Sequence, residues 1–356
     1  MNCLIFRNDG IGDLIVSTCG INQLCKKDSK SNLTLICSNR NIEYAKILKK
    51  DGYIDHLYNL DNYKTFSGTF RIISVLRKIS FDHIFILKSD WKNLIISLFC
   101  KSQNIHAINP NKISKVSNNI IYKYPLFLSN KIFKSMEIIN SIELKTSDVK
   151  TKMGTHYREL FNKALDIKKT KLEYIKPNSF TKFDSQIKKI FSILKITKHK
   201  TVLFHLDEKW NDINIPKDFI INFFEEITSK NNKSINLIVT NGKQSKDINN
   251  EIWNYYSLRK IKNKNHIYQS QRNKKIIFIK KCNISELVGI ISNVSLIFHM
   301  HGSITHITSI LKTPIVDIIK NHSSKYFYKW RPNFKQYTQI EIQYLKSPQK
   351  YINKYL

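Results

Sequence analysis

The stretch "LIFRNDGIGDLIVST", residues 4–18, places a carboxylate, Asp13, just after two glycines, Gly10 and Gly12, where an apolar strand gives way to a helix. A carboxylate there can act as a general base, provided a hydroxyl comes within hydrogen-bond reach. It also lies in the positive field of the helix N-terminus, where many acids are only caps or dipole partners. The glycines suggest a dinucleotide turn, but G-x-G-x-x-G fails because Ile15 holds the third position. Gly10 and Gly12 would instead permit backbone conformations and a close approach that a bulkier residue blocks. A second group is "HMHGSITHITSILKTP", which brings His299, His301 and His306 together around another strand-to-helix corner. Amides of Gly302 and Ser303 would offer a helix's positive end to a diphosphate, with His306 donating to a phosphate oxygen. Zinc is the competing reading, since strand alternation puts His299 and His301 on one face. No acidic or cysteine partner stands nearby in sequence, so no metal is expected. Polar histidines around a tight corner are the third possibility.

Two such corners need two sheets to hold them. Short apolar strands alternate with amphipathic helical stretches, and the pattern occurs twice. The first set is 3–6, 33–37, 56–60, 83–87 and roughly 105–108, with helices near 13–27, 41–50, 67–79 and 91–101. The second is 201–206, 235–240, 275–279, 295–299 and 314–319, with helices near 217–229, 245–259, 284–292 and 303–312. Alternation of this kind predicts α/β units with parallel sheets, and two of them predict a cleft where ligands meet the carboxyl ends of strands. The expected division is 1–178 and 179–330, with a linker near 165–195 and a tail, 331–356, packing back across the domains. The polar stretch 110–200, with Pro110, Pro125 and Pro177, is the part the pattern does not resolve.

A chain of 356 residues exceeds one ordinary core, and 42% hydrophobic with 12% aromatic residues argues against disorder. Six cysteines without CxxC spacing suit a reducing cytoplasm. No basic region followed by a long apolar stretch opens the chain, and the longest apolar run, 287–298, is shorter than the about 20 residues a bilayer needs. A cytoplasmic protein is expected. Lys+Arg number 59 against Asp+Glu 27, a formal charge of +32. The lysines are scattered in short runs, which suits compositional bias and solvated faces. Such a surface still attracts anionic partners: nucleic acid, phosphorylated glycolipid or an acidic leaflet. No RNA-binding, helix-turn-helix or zinc-finger pattern is present, so no specific nucleic acid is expected.

"RNDGIGDLIVSTCGINQL" resembles the opening of glycosyltransferase family 9, the bacterial heptosyltransferases, which begin with a strand, an I-G-D turn and a helix. "NIEYAKILKKDGYIDHLYNLD" (41–61), "FDHIFILKSDWKNLIISLF" (81–99) and "SNVSLIFHMHGSITHITSILKTPIVDII" (292–319) are similar to further segments of that family. The resemblance covers most of 1–105 and 200–320. It implies a GT-B architecture, two doubly wound Rossmann-like domains facing a central cleft, the donor nucleotide-sugar held by the second and the acceptor by the first. It implies inversion, no metal and no cofactor beyond the donor, with Asp13 as general base. Gly302, Ser303, His306, His301 and Lys209 would bind the donor, and Gly10 and Gly12 would shape the corner near the acceptor. The expected reaction moves a sugar, heptose by family default, to a lipopolysaccharide core or related phosphorylated surface glycan at the anionic inner membrane. Two departures stand out. His301 takes the place of an Asp, and an imidazole carries no permanent negative charge. Ile213 stands where a basic residue usually precedes Pro216, with Lys209 as the substitute and Lys217 just beyond the proline. A catalytically altered relative, such as a sugar-nucleotide epimerase or a nucleotide-binding protein, and a basic nucleic-acid-binding protein are the alternatives.

Overall fold

β1 (Asn2–Phe6) is apolar because it runs through the middle of a sheet covered on both faces, and Cys3, Leu4, Ile5 and Phe6 are fully buried. The computed structural model describes residues 1–88, 90–102, 104–108, 139–142, 154–168, 171–207, 209–210, 215–229, 235–242, 247–261, 266–320, 330–332 and 334–356. The chain divides into two compact units, Met1–Pro177 and Asn178–Leu356.

In the first unit β1 leads into α1 (Ile11–Lys27), β2 (Asn32–Cys37), α2 (Ile42–Lys50), β3 (His56–Asn59), α3 (Phe66–Leu76), β4 (His83–Ile86), α4 (Trp91–Phe99), β5 (Ile105–Ile108), β6 (Ile139–Ile142) and α5 (Thr155–Ala164). The six strands pair in parallel in the order β3-β2-β1-β4-β5-β6. The order reverses between β1 and β4, so the carboxyl ends of these two strands open a crevice of the kind that receives ligands in doubly wound sheets. Helix α1 lies close against α5 because Gly20 has no side chain: a Cβ there would stand 2.2 Å from the Phe161 ring. Phe161 stacks in turn on Phe85 of β4, centroids 4.0 Å apart.

The second unit contains α6 (Ser179–Ile193), β7 (Thr201–Leu206), α7 (Lys217–Thr228), β8 (Asn236–Asn241), α8 (Asp247–Tyr256), β9 (Leu258–Lys260), β10 (Ile267–Ser270), β11 (Ile276–Ile279), α9 (Ile284–Ser292), β12 (Leu296–Met300), α10 (Ser303–Leu311), β13 (Ile315–Ile319), β14 (Tyr337–Glu341) and α11 (Gln349–Tyr355). Its sheet runs β14-β13-β12-β7-β8-β11-β10-β9, and the order reverses between β7 and β12. The core joins Phe204, Trp210, Phe223, Phe224, Phe298 and Tyr351 in a chain of edge-on and tilted ring contacts.

Two expectations need revision. The second sheet is mixed rather than parallel, because β9 and β10 add an antiparallel edge to β11. The helix expected to reach residue 259 stops at Tyr256, and Ser257 takes a positive φ of 48° that turns the chain into β9. Within the tail 331–356, residues 337–355 build a parallel edge strand beside β13 and a final helix on the second unit. Of the stretch 110–200 that the sequence pattern left unread, the described residues contribute β6, α5 and α6, and Ile213 lies outside the described residues. No helix among the described residues is long and apolar enough to cross a membrane.

Candidate functional site

At the reversal of the first sheet, the chain leaves β1 as Arg7-Asn8-Asp9 before α1 begins at Ile11. Buried amides and a hydroxyl clamp this tripeptide. Asn41 Nδ2 donates to the Arg7 carbonyl at 2.7 Å, Ser38 Oγ to the Asp9 carbonyl at 3.2 Å, and Asn8 and Asn93 exchange side-chain hydrogen bonds. Asn93 is held by the N-cap of α4, where Asp90 accepts from its backbone N–H at 2.9 Å.

Arg7 is the centre of the corner. Its guanidinium is buried, donates to the Leu87 carbonyl and the Tyr157 hydroxyl at 2.7 Å each, and lies 3.2 Å from both Asp9 Oδ1 and Asp13 Oδ1. Burial opposes its charge, but Tyr157, Asp9 and Asp13 outweigh burial and keep it a cation. The two carboxylates differ in access: the Asp9 side chain is 21% exposed and that of Asp13 37%. Asp13 is therefore the more accessible carboxylate of the two, braced by Arg7 and by the Gly10 N–H at 3.3 Å. Gly10 has an ordinary extended φ of −77°, and neither it nor Gly12 takes a positive φ. What Gly10 supplies is room, since a Cβ there would lie 3.0 Å from Asp13 Oδ2. Gly12 sits in the first turn of α1.

Asp9 has a cost. Burial raises its carboxyl to about 6, with Arg7 pulling it down and Asp13 pushing it further up. A carboxyl raised in the folded state binds its proton more tightly there than in the unfolded chain, so its contribution to stability is present below about pH 4 and is lost as pH rises through about 6. Asp9→Asn is expected to gain on the order of 1–3 kcal/mol at pH 7.5 and almost nothing at pH 4. Denaturant unfolding across that range measures the difference.

The second corner lies where β12 and β7 part. Pairing sets His299 beside His205 on β7 and beside Asp317 on β13. Asp317 is fully buried and accepts from His301 Nδ1 at 2.7 Å, Thr305 Oγ1 at 2.7 Å, the Tyr337 hydroxyl at 2.5 Å and Gln339 Nε2 at 3.2 Å. Burial alone would raise this carboxyl, but the charge and hydrogen bond of His301, with the hydrogen bonds of Tyr337 and Thr305, hold it below the usual carboxylate range. Thr305, its proton spent on Asp317, accepts from His299 Nε2 at 3.2 Å and the Gly302 N–H at 3.3 Å. Burial keeps His299 neutral, aided by His205 and Lys209, and lowers His205 to about 3. The His306 ring stands perpendicular to that of His301, centroids 5.7 Å apart.

Lys209 reaches this corner and donates to the His301 carbonyl. A Cβ on Gly302 would stand 2.5 Å from its Nζ, so the bare glycine makes space for the ammonium at the start of α10. That helix opens on Gly302 with no side-chain cap, and Ser303 is its first residue. Lys217 instead pairs with Glu251 at the surface. The corner thus gathers Lys209, His301, Gly302, Ser303 and His306, and the other gathers Gly10, Gly12 and Asp13.

The histidines do have an acidic partner, contrary to the reading by sequence proximity. Asp317 lies 16 residues beyond His301, and parallel pairing of β12 with β13 brings them together. A lone acid inside the apolar strand IVDII was the available signal, because a buried carboxylate demands partners. Arg7, Asp9, Tyr157 and Thr305 were also missed as site residues. Among the described residues, no group of three or more His, Cys, Asp or Glu is arranged to hold a metal ion.

No family model matches the chain, and no curated protein sequence does. Solved structures do match. The structure of E. coli heptosyltransferase WaaC with ADP-2-deoxy-2-fluoro heptose superposes with a TM-score of 0.67 at 10% identity, covering 99% of each chain. E. coli ADP-heptose lps heptosyltransferase II gives 0.64 at 10% identity, over 99% of this chain and 97% of that one. A glycosyl transferase family 9 structure from Veillonella parvula gives 0.63 at 12% identity, over 99% and 90%. Because the likeness runs through both units from end to end, this chain has the GT-B fold of the heptosyltransferases.

Proposed function

We propose that the protein is an inverting glycosyltransferase that moves a sugar from a nucleotide-sugar to a lipopolysaccharide core or related surface glycan. The observation that carries this reading is Asp13: a partly exposed carboxylate at the strand reversal of the first sheet, braced by a buried arginine. The fold likeness to enzymes solved with ADP or an ADP-heptose analogue supports it. In this reading an acceptor hydroxyl oxygen attacks the anomeric carbon as the bond to the diphosphate breaks. Asp13 takes the hydroxyl proton, and a single displacement inverts the centre. Negative charge gathers on the leaving diphosphate, where Lys209 and the uncapped amides of α10 meet it without calling on a metal. Heptose is the donor sugar the resemblance favours. The +32 formal charge supports attraction to a phosphorylated acceptor and to the anionic leaflet that carries it.

Thermal unfolding with ADP, UDP, GDP or CMP tests the donor half. A nucleotide at 100 times its dissociation constant adds about 2.7 kcal/mol of stability. The expected result is a shift with one nucleotide alone, lost in His306→Ala and Lys209→Met. Shifts with none of the four would remove the transferase reading.

A further inference from the structure

The guanidinium of Arg7 is fixed by two directed hydrogen bonds, to the Leu87 carbonyl and the Tyr157 hydroxyl, and neither depends on a carboxylate. Its hold on Asp9 is of another kind. Arg7 Nε and Asp9 Oδ1 stand 3.2 Å apart but are not aligned as a hydrogen bond, and both atoms are buried with no hydrogen-bond partner. Asp9 therefore meets the guanidinium through charge. That charge is kept at a cost to the fold above about pH 6, beside the more exposed Asp13 and at the crevice of the first sheet. Carboxyls perturbed in this way cluster at functional sites.

We propose, resting on the reading of Asp13 as general base, that the charge of Asp9 strengthens Asp13 as a proton acceptor by offsetting the guanidinium the two share. Asp9 acts through Arg7, so it is a positioning residue, and Asp13 remains the group that takes the proton. A carboxylate in sole possession of an arginine is a poor base, because the cation favours its ionised form. The charge count gives the sign. With Asp9 ionised, the corner holds one cation and two anions, and the proton leaving the acceptor hydroxyl neutralises it. With Asp9 neutral, the same proton leaves the buried Arg7 without a counter-ion, which is costly.

The other groups around Asp9 leave this balance intact. Lys88, just beyond β4, helps to lower Asp9, and its ammonium is matched by Asp90 at 3.4 Å. Burial pushes the Tyr157 hydroxyl of α5 up, so it stays neutral. Ser38 and Asn41, from the turn after β2, bring hydrogen bonds to the backbone and no charge.

Transfer to an extracted glycolipid acceptor, from ADP-heptose or the UDP-, GDP- or CMP-sugar that thermal unfolding selects, is compared between pH 5 and 8.5 for the protein, Asp9→Asn and Asp9→Glu. The kcat of the protein is expected to climb as pH rises through about 6, where Asp9 ionises. Asp9→Asn loses that climb and at pH 7.5 runs on the order of tenfold below the protein, part of the roughly 10²–10⁴ that a positioned base supplies. Its KM for the nucleotide-sugar is unchanged. Asp9→Glu restores the charge and keeps the climb. Substrate phosphates titrate alike in all three, so the comparison removes them. Asp9→Asn is also expected to be the more stable protein at neutral pH, and activity lost while stability is gained separates this role from a structural one. The side-chain ¹³C carboxyl resonance of Asp13 gives a readout without substrate: it moves as Asp9 titrates, and Asp9→Asn abolishes that movement. Equal kcat for the protein and Asp9→Asn at pH 7.5, or an Asp13 resonance that ignores the Asp9 titration, overturns this inference and leaves Asp13 as the base. Absence of transfer by the protein, or undiminished transfer by Asp13→Asn, removes the base reading and this inference with it.

Discussion

If Asp13 is the general base of the proposed transfer, Asp13→Asn is expected to lower sugar transfer by about 10²–10⁴-fold, the usual worth of a positioned general base, and to leave nucleotide affinity within about twofold. Asparagine is nearly isosteric, so it can keep the contact from the Gly10 N–H at 3.3 Å while losing the capacity to take a proton. The loss should fall on kcat, because the removed interaction acts as the acceptor hydroxyl gives up its proton. Steady-state kinetics with a nucleotide-sugar and an extracted glycolipid acceptor would measure it. A kcat within tenfold of the parent would remove Asp13 from the base's role, and Asp9, paired with the same guanidinium, would be examined next. Asp13→Glu provides a control on distance, since it restores the charge but moves it by a methylene.

Arg7→Met is expected to destabilise the protein by about 3–5 kcal/mol, the penalty for breaking a buried ion pair by removing one partner. The guanidinium is buried and serves four groups at once: the Leu87 carbonyl, the Tyr157 hydroxyl, and the carboxylates of Asp9 and Asp13. Its removal leaves the carbonyl without this donor and sets two carboxylates near each other without the cation between them. The loss is a large part of the 5–15 kcal/mol that stabilises a typical domain. Coupling gives a sharper check. Asp9→Asn in the Arg7→Met background should recover more stability than Asp9→Asn alone gains, because the raised carboxyl has then lost the main cation opposing it and keeps only Lys88. Additive effects would mean that Arg7 acts by filling space.

The alternation of apolar strands and amphipathic helices was determined by local pattern, and so it was legible without coordinates. Strands at 105–108 and 201–206 and the helix at 284–292 fall where that pattern puts them, because both faces of a central parallel strand demand apolar residues. The same locality placed Asp13 at the start of α1 and Gly302, Ser303 and His306 around the start of α10. Composition, too, was sufficient for the charge. The edge strands β9 and β14, and β10 next to the edge, were not legible, because short and half-exposed strands at a sheet's margin carry little periodicity.

What only the tertiary structure decided is which residues serve those corners. Arg7 reads as an ordinary basic residue after a strand until Leu87 and Tyr157, 80 and 150 residues away, close around it. His301 reads as an imidazole without a charge partner until the register of β12 and β13 brings Asp317 to it, and β14 adds Tyr337 and Gln339. The physical reason is common to both. A buried charge is tolerated only where several donors or acceptors converge on it, and in a parallel sheet those groups come from neighbouring strands separated by whole crossover connections. Sequence spacing could therefore name the corners, while strand order and register determined their electrostatics.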